Sequence, residues 1–87
     1  MNYVYILECA DRSWYTGWTN NMYRRFKAHQ SGHGAKYTRS HYPLRIIYLE
    51  KYEDPSAARK REYAIKHMTR KEKEDLVAGR LKKEGNL

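Results

Sequence analysis

The chain has no aspartate or glutamate anywhere between Arg12 and Leu49, although it carries ten acids in all. Into that gap fall Arg12, Arg24, Arg25, Lys27, Lys36, Arg39 and Arg45. The formal net charge is +8. A long one-sign stretch favours a polyanionic partner, most simply nucleic acid, over a surface charged only for solubility. Cysteine is nearly absent too. Cys9 stands alone, which excludes an intramolecular disulfide and any Cys-x-x-Cys motif. It lies in an apolar strand pattern and reads as a buried, inert thiol. No apolar run approaches bilayer length, and no basic segment precedes an apolar one at the N-terminus. Neither a membrane span nor a secretory leader is expected, and the chain is expected to be cytoplasmic. Neither Gly-rich nucleotide-binding motif occurs, nor any Ser/His/Asp or Cys/His nucleophile motif.

What is present is aromatic. Nine tyrosines and two tryptophans supply core area that a hydropathy sum undervalues, and 87 residues suit one domain over residues 1–82. Residues 3–9 read as a strand, Ala10 to Ser13 as a turn, and Trp14 to Thr19 as a second strand. Thr19 or Asn20 can cap a helix reaching about Gln30, which Gly32 ends. Ser31 to Tyr42 shows no periodicity and reads as a loop. Pro43 opens a third strand, Leu44 to Tyr52. Asp54-Pro55 caps a helix to about Met68. Thr69-Arg70-Lys71-Glu72 has capping-box spacing for a last helix through about Lys82, before a frayed tail at 83–87. The order ββαβαα gives an α+β sandwich, with helices covering the sheet.

Chemistry-bearing side chains cluster in three places. Tyr5 and Tyr15 share a sheet face only if the turn pairs residues of equal parity, as a three-residue loop does. Each tyrosine taken singly is an ordinary packing residue. Met22, Arg25, Phe26 and His29 form one helical face, turned inward by Met22 and Phe26. Arg24 and Lys27 point to solvent. A half-buried Arg25 needs an anionic partner, either Glu62 or a phosphate from outside. Glu62 interrupts an apolar stripe with Ala58 and Ile65. It is either a surface partner of Lys66 or a single-carboxylate anchor for Mg²⁺ or Mn²⁺. A zinc site from Cys9, His29, His33 and His41 is set aside, because no paired ligand motif exists and Gly32 should end the helix between the first two histidines.

These residues in this order resemble the GIY-YIG nuclease superfamily, and its small stand-alone members in particular. Tyr3-Val4-Tyr5 stands at the first motif and Tyr15-Thr16-Gly17 at the second. Arg25, His29 and Glu62 follow at the family's spacing, and Gly34-Ala35-Lys36-Tyr37-Thr38 resembles the stand-alone subgroup. Tyr3 replaces a glycine and Thr16 an isoleucine. Trp18 stands where some repair nucleases carry lysine. Lys73-Glu74-Asp75-Leu76-Val77 lacks the asparagine that several members place in the last helix.

The resemblance implies a three-stranded antiparallel sheet flanked by helices, and hydrolysis of DNA phosphodiesters with one divalent ion, Mg²⁺ or Mn²⁺. By position, Tyr5 and Tyr15 would flank the attacking water, one as general base. Arg25 would steady the phosphate, His29 would assist, and Glu62 would hold the metal. From the acid-free window rather than the resemblance, Arg24, Lys27, Lys36, Arg39 and Arg45 are expected to bind the nucleic acid. DNA repair or recombination is the expected setting. With no attached targeting region in these residues, sequence specificity should be low, or a protein partner should supply it. RNA is the alternative substrate. The rival reading keeps the fold and the basic face as a nucleic-acid-binding module without cleavage.

Overall fold

The computed structural model describes residues 1–85, with side chains described through residue 79. Strands β1 (Asn2–Cys9), β2 (Trp14–Thr19) and β3 (Pro43–Tyr52) form one antiparallel sheet in the order β2-β1-β3. The helices are α1 (Met22–Gln30), α2 (Lys36–Ser40), α3 (Pro55–Lys66) and α4 (Arg70–Gly85). The expected α+β class and three-stranded sheet are found.

The central strand is sandwiched, so Val4, Tyr5, Ile6 and Leu7 are all fully buried. Strand alternation sends Val4 and Ile6 to one face, where Tyr48 joins Ala58 and Ile65 of α3. Trp14, Trp18, Met68, Leu76 and Val77 pack around that cluster. Full burial of a side chain such as Ile65 contributes about 1.5–3 kcal/mol. Tyr5 and Leu7 point to the opposite face, beneath α1 and α2.

The first hairpin decides what that second face contains. Arg12 N–H donates to the Cys9 carbonyl, Cys9 N–H donates to Ser13, and Arg12 has φ 70°. This is a three-residue loop, a tight turn closed by one left-handed residue. Its register pairs Tyr5 with Gly17 and Leu7 with Tyr15. The two site tyrosines therefore share a face.

Helix α1 is capped by neither Thr19 nor Asn20 but by Asn21, whose side chain accepts from Arg24 N–H. It ends where Gly32 takes φ 83°. The stretch read as a loop contains the short helix α2, too brief to show a period. Asp54 caps α3 by accepting from Ser56 N–H. That helix stops at Lys66, not Met68, freeing Met68 to pack into the core. Thr69 and Glu72 form the expected reciprocal capping box at the start of α4. Helix α4 continues to Gly85, past the expected Lys82. Of the tail expected to fray, residues 86 and 87 lie outside the described residues.

Candidate active site

Tyr5 is fully buried at the centre of the sheet, and its hydroxyl lies 2.8 Å from His29 Nε2. His29, on the inner face of α1, is also fully buried. Its other ring nitrogen, Nδ1, lies 2.7 Å from Thr38 Oγ1 on α2. Thr38 in turn donates to the Ala35 carbonyl at 3.0 Å. Two glycines make this packing possible. Gly17 sits directly across from Tyr5, and a side chain there would collide with the phenol. Gly34 lies against the His29 ring, and a side chain there would collide with Nδ1.

Tyr15 stands beside this pair at the half-exposed edge of the face. Its ring centroid is 6.4 Å from that of Tyr5 and 5.2 Å from that of His29. Tyr37 stacks on Tyr15 at 6.0 Å, and His41 stacks on Tyr37 at 3.9 Å. Arg25, one turn before His29, is half-buried and faces the phenols of both tyrosines. Burial works to lower its pKa, but the two phenol oxygens outweigh that and raise it. Burial pushes the Tyr5 phenol up to about 12, with Arg25 opposing the shift. Burial, then the Arg25 charge, bring His29 down to about 4, so its ring is neutral near pH 7.

Glu62 comes from α3, with its side chain 19% exposed. Its carboxylate is near enough to Tyr5 to disfavour that phenolate, and it pairs with Lys66 at 3.5 Å. The Lys66 ammonium also lies 5.9 Å from the centre of the Tyr15 ring. Of the two partners expected for Arg25, Glu62 pairs with Lys66, and the groups of this chain that face Arg25 are phenols.

The structure brings Tyr5, Tyr15, Arg25, His29 and Glu62 to one region. The surface cations are divided. Arg24 and Arg25 line a cavity of about 510 Å³ with Thr19, Asn20, Asn21 and Ala28, which contains no acid. Lys27 is exposed, over the Tyr23 ring, and Lys36 and Arg39 are exposed on α2. Arg45 is elsewhere. It pairs across the sheet with Glu8 at 2.7 Å, on the α3 and α4 face, because its register partner points away from Tyr5. Sequence reasoning missed Thr38 and Gly34, which lie in the stretch singled out only by resemblance, since a five-residue helix carries no periodic signal.

The residues weighed for zinc are otherwise engaged. His29 uses both ring nitrogens, His41 stacks on Tyr37, and Cys9 is buried. Among the described residues, no three His, Cys, Asp or Glu side chains gather as a metal cage. No helix among them is long and apolar enough to cross a membrane.

Residues 1–75 match the family model described as the GIY-YIG catalytic domain, and the chain belongs to the GIY-YIG family. Within it the chain is similar to UPF0213 proteins. UPF0213 protein CPE1444 of Clostridium perfringens is 52% identical over 86 residues, covering 99% of this chain and 92% of that protein. The solution NMR structure of UPF0213 protein BH0048 from Bacillus halodurans superposes with a TM-score of 0.59 at 51% identity, covering 90% of this chain and 84% of that one. That of EF2693 from E. faecalis gives 0.61 at 43% identity, covering 90% and 83%.

Proposed function

We propose that the protein is a divalent-metal-dependent endonuclease that hydrolyses DNA phosphodiester bonds with low sequence specificity, in DNA repair or recombination. The observation that carries this reading is the asymmetry of the tyrosine pair. Tyr5 is buried with its hydroxyl engaged by His29, whereas Tyr15 opens to solvent beside Arg25. On this reading Tyr15 is the general base, and Tyr5 holds the site together.

Glu62 is the one carboxylate of the site among the described residues, and a single carboxylate suits Mg²⁺ or Mn²⁺, which keep several waters and take phosphate oxygens as further ligands. The bound ion would neutralise charge on the phosphate and favour a deprotonated water. Arg25 grips a non-bridging phosphate oxygen and stabilises charge as it develops there. Tyr15, as general base, accepts a proton from the attacking water as its own phenolic proton passes to solvent. The new bond from water oxygen to phosphorus forms as the bond to the leaving sugar oxygen breaks, and that oxygen takes up a proton from solvent. The strand beyond the scissile phosphate runs along the cavity beside Arg24, and Lys27, Lys36 and Arg39 contribute longer-range attraction. Arg45 is left out of that footprint.

The binding-module reading draws on one observation, the Glu62–Lys66 pair, which already neutralises the carboxylate. A nicking assay on supercoiled and branched DNA with Mg²⁺ or Mn²⁺ separates the two. Tyr15→Phe should abolish nicking while leaving DNA affinity unchanged. DNA affinity itself should fall with salt, at about 0.9 in log K per log[salt] for each phosphate neutralised. No cleavage by wild type on any of these DNAs would leave the binding module as the better account.

A further inference from the structure

The tautomer of the buried histidine is set from outside the cluster that faces the phosphate. Thr38 has one hydroxyl proton, and it goes to the Ala35 carbonyl at 3.0 Å. Toward His29 Nδ1, 2.7 Å away, the Thr38 oxygen can therefore only accept. Nδ1 must carry the ring proton, which leaves a lone pair on Nε2. The Tyr5 hydroxyl, 2.8 Å from Nε2, must then donate to it. Tyr5, His29, Thr38 and the Ala35 carbonyl form one directed chain of hydrogen bonds. With its proton committed to His29, the Tyr5 oxygen presents only lone pairs to the Arg25 guanidinium that faces it.

We propose that Thr38 is a positioning residue that holds His29 as the Nδ1–H tautomer and thereby aims Arg25 through the Tyr5 oxygen. The opposite tautomer shows why this matters. With the ring proton on Nε2, Tyr5 would accept from His29, and its own hydroxyl hydrogen would turn toward the N–H groups of Arg25. Donor would then face donor at the residue that grips the phosphate. The ring cannot escape by turning over, since Gly34 packs against it and both residues 29 and 38 are buried. The effect on rate rests on the nuclease reading, whereas the tautomer and the setting of Arg25 do not.

The test is ¹⁵N NMR of the His29 imidazole and the Arg25 Nε–H in wild type, Thr38→Val and Thr38→Ser, with nicking measured beside it. Wild type should show a protonated Nδ1 and an unprotonated Nε2. Thr38→Val keeps the shape and removes the acceptor, so the other tautomer should appear and the Arg25 resonance should shift. Nicking should fall roughly tenfold to a hundredfold, the scale on which outer partners of positioned groups act. Thr38→Ser should restore all three. If the valine variant does not fold, Thr38→Ala removes the same hydroxyl and carries the same expectations. A wild-type proton on Nε2 overturns the proposal, and so does a hydroxyl-less variant that keeps both resonances unchanged. Resonances that behave as stated in a protein that never nicks DNA leave the proposal standing and sink the nuclease reading instead.

Discussion

Gly17 lies directly across the sheet from Tyr5, with its α-carbon against the buried phenol ring and Tyr15 on its other side. The second motif's glycine is thus explained by space and not by backbone conformation. Tyr5 cannot yield readily, because its hydroxyl is fixed by His29. Gly17→Ala should destabilise the fold by about 1–3 kcal/mol through overpacking and break the Tyr5–His29 hydrogen bond. Gly79 is the contrast. It lies inside α4, with nothing among the described residues within 4 Å of where a β-carbon would stand. Gly79→Ala should stabilise by about 0.5–1 kcal/mol through helix propensity. Urea midpoints of the two variants moving in the same direction would contradict this account.

Stability should be greatest and flat between about pH 6.5 and 10, the ordinary values of the two groups buried together. His29 is lowered to about 4 in the fold by burial and then by Arg25. Between pH 6.5 and 4 the unfolded chain takes up a proton that the folded one refuses, so stability falls as pH falls. The His29 contribution is of order 3 kcal/mol at most. Tyr5 is raised to about 12 by burial, so its contribution is present below pH 10 and is lost as pH rises from 10 to 12. Denaturation at pH 7 and pH 5 checks the acid side, since carboxylates mostly titrate lower still. Replacing His29 by glutamine should shrink the difference between those two pH values.

Much of this was legible in the residues, and the limits have physical causes. Helix caps at Asp54 and Thr69–Glu72 are local chemistry, and the structure makes both as the sequence spells them. The inward face of Met22, Arg25, Phe26 and His29 follows from helical period. The hairpin parity was not decidable, because Ala10 to Ser13 permits loops of different length and only the left-handed Arg12 settles it. The groups around Arg25 could not be read either, since two phenols distant in sequence face it where Glu62 or a phosphate was expected. Arg45 joined the basic set by charge alone, while its strand partner Glu8 places it on the far face.

Thr16 stands where the family pattern has isoleucine, and its cost should be measurable. It pairs with Ile6 in the sheet, is 3% exposed, and its hydroxyl is buried with no hydrogen-bond partner among the described residues. An unsatisfied buried hydroxyl costs about 1–3 kcal/mol. Thr16→Val keeps the branched shape and removes the polar atom, so it should raise stability by about 1 kcal/mol. Ile6 and Thr16 lie on the face away from Tyr5, so nicking should not change. A valine variant less stable than wild type in urea would mean that the hydroxyl has a partner.

The Glu62–Lys66 pair gives the sharpest test of the metal role. A partly exposed i, i+4 pair of this kind contributes only about 0.5 kcal/mol, so a divalent ion can displace the ammonium at little cost. Lys66→Met removes the competing cation and should tighten Mn²⁺ binding by about twofold or more. Glu62→Gln removes the charge that a hard ion requires, and Mn²⁺ binding should be lost while the helix, nearly unchanged in shape, stays folded. The two substitutions act in opposite directions on one measured quantity, so a general effect on folding cannot produce both. Titration calorimetry with Mn²⁺ reads them directly, and nicking by Glu62→Gln should fall by orders of magnitude in step. If Glu62→Gln binds Mn²⁺ as wild type does, the metal sits elsewhere, and Glu62 is only the surface partner of Lys66.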